Sequence, residues 1–183
     1  MKKVSVKTVV ATGIGAALFF VLGRFVAIPS GIPDTNITIQ YGVLAFIAAV
    51  FGPVAGLLAG LIGHFFIDFS WGWGVWWSWV IASAMFGCAM GFIAKSLKIE
   101  EGIFKAKDIL VFNVAQIVCH LLAWVVVAPV LDIVMYAEPA NKVFIQGLLS
   151  AGINILATAI VGSVLCFGYA LSIPTKGSLK EEE

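Results

Sequence analysis

Residues 51–69 read FGPVAGLLAGLIGHFFIDF, an apolar run in which the first charged residue is Asp68. It is as long as a helix must be to cross the hydrocarbon core, which takes about 17–25 residues. Gly52, Gly56, Gly60 and Gly63 recur at intervals of four, four and three, a spacing that places them on one helix face. A glycine face lets helices approach closely in lipid, where burial of apolar surface no longer drives association. Pro53 suits a first helical turn, where its missing N–H is not needed. This stretch predicts a transmembrane helix packed through small residues.

The rest of the chain agrees. Of 183 residues, 61% are hydrophobic and 11% charged, and the mean hydropathy is +1.06. Soluble domains hold about 45–50% apolar and about 25% charged residues. Further continuous apolar runs predict spans near 9–28, 37–50, 53–69, 77–94, 109–128 and 143–171. Barrel strands would alternate polar and apolar residues, so helices are the spanning element. The expected fold is an all-α integral membrane protein, a six-helix bundle forming one membrane domain over residues 1–183. The basic start resembles a signal peptide, but the apolar run behind it is long for one and is read as a retained first helix.

Charge placement predicts orientation. With both termini cytoplasmic, Lys2, Lys3, Lys7, Lys95, Lys98, Lys105, Lys107, Lys176 and Lys180 lie inside, and only Arg24 and Lys142 outside. That is a strong positive-inside bias. Trp71, Trp73, Trp76 and Trp77 then fall at the outer interface, where aromatic belts form. A net charge of +1 gives no reason to expect nucleic acid. Cys88, Cys119 and Cys166 sit in apolar runs with no zinc or redox spacing and are expected to be small buried hydrophobes, not metal ligands.

A few polar residues within the spans need a reason. His64 and Asp68 are four apart, so they share a face. They are either a self-satisfied buried pair or a polar lining near the outer mouth, with Asp68 fixing the tautomer of His64. Asn113, Gln116 and His120 form a second stripe, lining a cavity or cross-linking helices. Arg24 either snorkels to the surface or pairs with Asp34 or Asp68. The stretch 34–41, with Asn36 and Tyr41, is rich in hydrogen-bonding groups. With Trp71, Trp73 and Trp76 it composes a mouth of apolar walls and a few polar anchors, suited to a small molecule. An ordinary interfacial belt is the competing reading of the tryptophans.

The sequence holds no phosphate loop, no His-Glu-x-x-His, no Gly-x-Ser-x-Gly and no paired intramembrane carboxylates, so neither catalysis nor a resident cofactor is expected. Small residues also recur on the first span, as Ala11-xxx-Gly15 and Gly13-xxx-Ala17, and on the fourth, as Ser83-xxx-Gly87-xxx-Gly91. Those of the first span fit either internal packing or a docking face for another membrane protein.

These features together resemble the S components of energy-coupling factor (ECF) transporters, bacterial cell-membrane systems for vitamin uptake. Three segments carry the resemblance to the riboflavin-type subgroup: Lys7–Val10 with Gly13–Ala17, Ile32–Asn36, and Gly60–His64 with Asp68. Within it, the chain looks most like the cobalamin-specific S components of lactobacilli. The resemblance implies a multi-pass vitamin binder that docks on a transmembrane T protein and two ATPase subunits, which use the ATP. It implies cobalamin as the transported ligand, with riboflavin as runner-up. It implies a vitamin site at the outer mouth, gated by the loop between the first two spans, where Asn36, Tyr41, His64, Asp68, Trp71, Trp73, Trp76 and His120 are the expected contacts. The family docks through Ala-xxx-Ala on helix one; here Ala11, Gly13, Gly15 and Ala17 offer two glycine-substituted versions of that pattern. The alternative from another class is a membrane scaffold subunit without a ligand.

Overall fold

The computed structural model describes residues 5–32, 35–72 and 74–174. Six helical rods account for most of it. They are α1 (Val6–Phe25), α2 (Gln40–Phe51), α3 (Pro53–Trp71), α4 (Trp77–Ile93), α5 (Ala106–Tyr136) and α6 (Ala140–Ser172). All but α2 are long and apolar enough to cross a membrane. The 12 residues of α2 rise about 18 Å. Ten of them are buried, so α2 is the central post around which the others pack.

Local chemistry sets the ends. Ser5 caps α1 by accepting from the Thr8 N–H at 3.1 Å. Gly52, at φ +89°, turns the chain between α2 and α3. Gly72, at φ +83°, closes α3 in the left-handed region that glycine enters without strain. Between α1 and α2 a short antiparallel hairpin pairs β1 (Ile28–Pro29) with β2 (Asn36–Ile37). The expected first and second spans thus lose residues 26–28 and 37–39 to the connection. Pro29 ends the helical register, and extended backbone pairing takes over.

The glycines of α3 divide their work rather than sharing one seam. A Cβ on Gly56 would strike the Gly87 carbonyl of α4, and one on Gly60 would come within 2.6 Å of the Ser83 carbonyl. Gly63 instead faces α1, where an added Cβ would come within 2.8 Å of Phe19, and Gly52 belongs to the turn. Gly87 and Gly91 answer from α4 against the backbones of Gly56 and Pro53.

The largest departure from expectation is α5. The sequence places the end of this span before Pro129, with Asp132 in a loop. The helix instead continues to Tyr136, and the connection to α6 is only Ala137, Glu138 and Pro139. Proline lacks an N–H, and its ring collides with the carbonyl four residues back in a regular helix. A π-helical segment, Leu122–Val127, absorbs this. The Ala128 N–H reaches back to Ala123, and the helix resumes with proline in a first-turn position. A second π segment, Thr158–Gly162, interrupts α6, where its Val161 packs on Gly42 of α2. Such widened turns are rare and gather at functional sites.

Charge separates the two ends of the bundle. Lys7, at the start of α1, pairs with Glu100 of the α4–α5 connection at 3.0 Å. Lys95, Lys98, Lys105 and Lys107 belong to the same end. Arg24 and Lys142 lie at the other end, beside the hairpin and the α5–α6 connection.

Candidate functional site

Extending α5 past Pro129 carries Asp132 into the bundle, where it is 1% exposed. Three side chains of the α4 start donate to its carboxylate. Trp76 Nε1–H reaches Oδ1 at 2.6 Å, Trp79 Nε1–H reaches Oδ2 at 2.7 Å, and the Ser78 hydroxyl also binds Oδ1. Hydrogen bonds to a carboxylate are about twice as strong as neutral ones. They fix both indoles as walls. Trp76 stacks on Tyr136 with ring centres 4.4 Å apart, and Trp79 stacks on Trp124 at 5.3 Å.

Facing them, α3 presents His64 and Asp68. The pair is looser than expected: His64 Nε2 is 3.6 Å from Asp68 Oδ1. His64 is anchored from its other side, Nδ1 lying 2.5 Å from Ser83 Oγ. The Ser83 hydroxyl donates to the Trp79 carbonyl and lies 2.8 Å from the Tyr41 hydroxyl. Ser83 thereby joins Tyr41 and His64 in one hydrogen-bonded cluster. His64 Nε2, on the opposite edge of the ring, faces the Asp68 carboxylate. Asp68 takes the Trp76 backbone N–H at 2.9 Å, which joins the end of α3 to the start of α4.

Two adjoining cavities open here. One, of about 230 Å³, is lined by His64, Asp68, Trp76, Trp79, Asp132 and Gln146, with Glu138 and Lys142 at its rim. Glu138 and Lys142 pair at 2.9 Å. The other, of about 110 Å³, lies under the hairpin among Asn36, Gln40, Tyr41, Trp71, Trp124 and Ser150. His64, Asp68 and Trp79 belong to both.

The expected contact residues are thus largely brought together. Asn36, Tyr41, His64, Asp68, Trp71 and Trp76 line one cavity or both. Trp73, like Asp34, lies outside the described residues. Arg24 lies over the face of Trp71, its guanidinium carbon 3.9 Å from the ring centre. His120 stands behind the wall. It accepts from Trp124 Nε1–H at Nδ1 and meets Thr158 Oγ1 at Nε2, both within 3.0 Å, while Phe86 stacks on its ring. It bridges the two π segments and props Trp124 instead of facing the cavities. Asp132, Trp79 and Gln40 were not singled out from the sequence. An aspartate three residues past a proline reads as loop, and the only available signal was the apolar run continuing through 130–136.

On α1 the two small-residue pairs part company. Ala11 and Gly15 are buried, Gly15 against Ile47 and Ala59. Gly13 and Ala17 are exposed, with nothing within 4 Å of a Cβ added at Gly13.

Comparison with known proteins places this geometry. Residues 3–171 match the family model of the S component of ECF-type riboflavin transporters. UPF0397 proteins of Staphylococcus aureus strains JH9 and N315 are 51% identical over 184 residues, covering each chain fully. Among solved structures, the S component for biotin from an ECF-type ABC transporter superposes with a TM-score of 0.60 at 18% identity. The match covers 87% of this chain and 90% of that one and shows the shared membrane fold. The chain is a multi-pass membrane protein and belongs to the family of ECF-type riboflavin transporter S components.

Proposed function

We propose that this chain captures its vitamin in the paired cavities beneath the hairpin, at an outward-facing end, with both termini cytoplasmic. The observation that carries this reading is the meeting of the two cavities at His64, Asp68 and Trp79. Apolar and aromatic walls with a few convergent polar groups are the make-up of a small-molecule site. The lysine-rich opposite end supports the orientation. Docking on a T protein with two ATPases uses Gly13 and Ala17, the pair left exposed on α1.

Cobalamin is the substrate favoured by the resemblance of the chain to cobalamin-specific S components. A corrinoid is larger than both cavities together, so it would extend beyond them. Riboflavin is the second reading, favoured by its smaller size; its flat ring would stack on tryptophan.

Growth of cobalamin and riboflavin auxotrophs, each lacking its own importer and expressing this chain with or without an ECF module, tests the proposal. Rescue on cobalamin only with the module present supports the first substrate. Rescue on riboflavin alone replaces it with the second. An inserted, module-bound chain that rescues neither overturns both and favours another vitamin or the scaffold alternative.

A further inference from the structure

The smaller cavity is lined by a buried amide at the start of α2. Gln40 opens α2 with 6% of its surface exposed, and no donor among the described residues reaches its Oε1. The oxygen lies beside Gly23 of α1, where an added Cβ would approach it to 2.8 Å. Gly23 and Gln40 both line this cavity. Buried polar side chains are satisfied in the large majority of cases, so an orphan in a cavity wall asks for a partner. Its surroundings define that partner. Asp68, on the shared rim, adds the oxygens of a carboxylate. An anionic arm would meet the Asp68 carboxylate, whereas a hydroxyl or amide N–H would meet oxygens ready to accept.

We propose that the smaller cavity is a subsite for a hydrogen-bond-donating, uncharged arm of the vitamin, which donates to Gln40 Oε1 while the ring system occupies the larger cavity. The proposal rests on the vitamin-capture reading and is indifferent to which of the two vitamins is bound. Cobalamin carries amide arms and riboflavin a hydroxylated chain. Vitamins ending in a carboxylate are selected against.

The test uses the purified full chain in detergent, wild type and Gln40→Met, which keeps the length of the side chain and removes its polar atoms. Equilibrium binding is measured with cyanocobalamin, riboflavin and lumiflavin, the last carrying a methyl group in place of the hydroxylated chain. Thermal unfolding of the empty proteins is measured in parallel. The expected result is about tenfold weaker binding by the variant of whichever vitamin the wild type takes, the loss of one hydrogen bond. If that vitamin is riboflavin, the wild type also prefers it to lumiflavin and the variant does not. The empty variant unfolds close to the wild-type temperature, since no donor among the described residues reaches the oxygen. Unchanged affinity overturns the proposal. So does a variant that unfolds several degrees lower, which would make Gln40 structural. If the wild type binds neither vitamin, the substrate reading fails separately, and the unfolding temperatures still decide whether Gln40 serves the fold.

Discussion

Helix α4 makes two seams by opposite means. Against α3 it meets glycine with glycine, Gly87 against the backbone of Gly56 and Gly91 against Pro53. Against α5 it offers Trp76, Ser78 and Trp79, all donating to one buried carboxylate. The first seam has no room for a side chain beyond Cα. The second is held apart by indoles and opens into the larger cavity. A rigid, backbone-close seam fixes where α4 stands, and the polar seam can then leave space without the bundle collapsing into it.

The sharpest way to break this contrast is to fill the tight seam. Gly87→Val puts atoms where the Gly56 carbonyl lies. The obstacle is backbone on both sides, so no rotamer change relieves it. We expect a loss of at least about 3 kcal/mol, the upper end for overpacking. In practice the protein will be recovered aggregated or unfolded, as read by size-exclusion profile and unfolding temperature in detergent. A variant that stays monodisperse with wild-type stability would show that the α3–α4 seam yields.

Breaking the polar seam costs nearly as much for a different reason. Asp132→Ala strands three donors, of which the Ser78 hydroxyl is fully buried. Each stranded buried donor costs about 1–3 kcal/mol where no water replaces the partner. The cavity admits solvent, so the loss should fall at the low end of their sum, about 3 kcal/mol. Vitamin binding should vanish with it, because Trp76 and Trp79 lose the carboxylate that orients them. Full binding by this variant would remove Asp132 from the site. Trp76→Phe is the milder cut: the ring remains to stack on Tyr136, and one bond to the carboxylate goes. About tenfold weaker binding with a near-normal unfolding temperature is expected, measured by titration of the vitamin.

The same two seams show what the sequence made legible. Glycines at helical spacing announce close packing because only backbone fits there, and α3 reads correctly as a packed span. Even so, spacing alone did not say that Gly63 serves α1 while Gly56 and Gly60 serve α4. The polar seam was hidden by Pro129. A proline in an apolar run reads as an end, and a π segment that lets the helix continue has no residue signature of its own. Part of the site, His64 and Asp68, lies on a span whose limits the sequence marks. Asp132, and with it the anchoring of Trp79, depends on that one register change. Gln40 was passed over because an amide at a helix start is unremarkable until its oxygen is seen without a donor.

The smallest expected effect on the fold is also the one that separates packing from docking. Ala11 and Gly15 face the bundle, and Gly13 and Ala17 face away from it, although both pairs have the same spacing. Gly15→Leu must push into Ile47 and Ala59, where a Cβ already comes within 3.1–3.2 Å. Gly13→Leu meets nothing within 4 Å and should change stability by less than about 0.5 kcal/mol, as exposed substitutions generally do. If the exposed pair is the surface that a T protein approaches, this harmless substitution holds the two helices apart. Vitamin binding by the isolated chain then stays at the wild-type level, while co-purification with the ECF module and uptake are lost. Intact uptake by Gly13→Leu would move the docking face elsewhere on the bundle and leave this glycine as a plain lipid-facing residue.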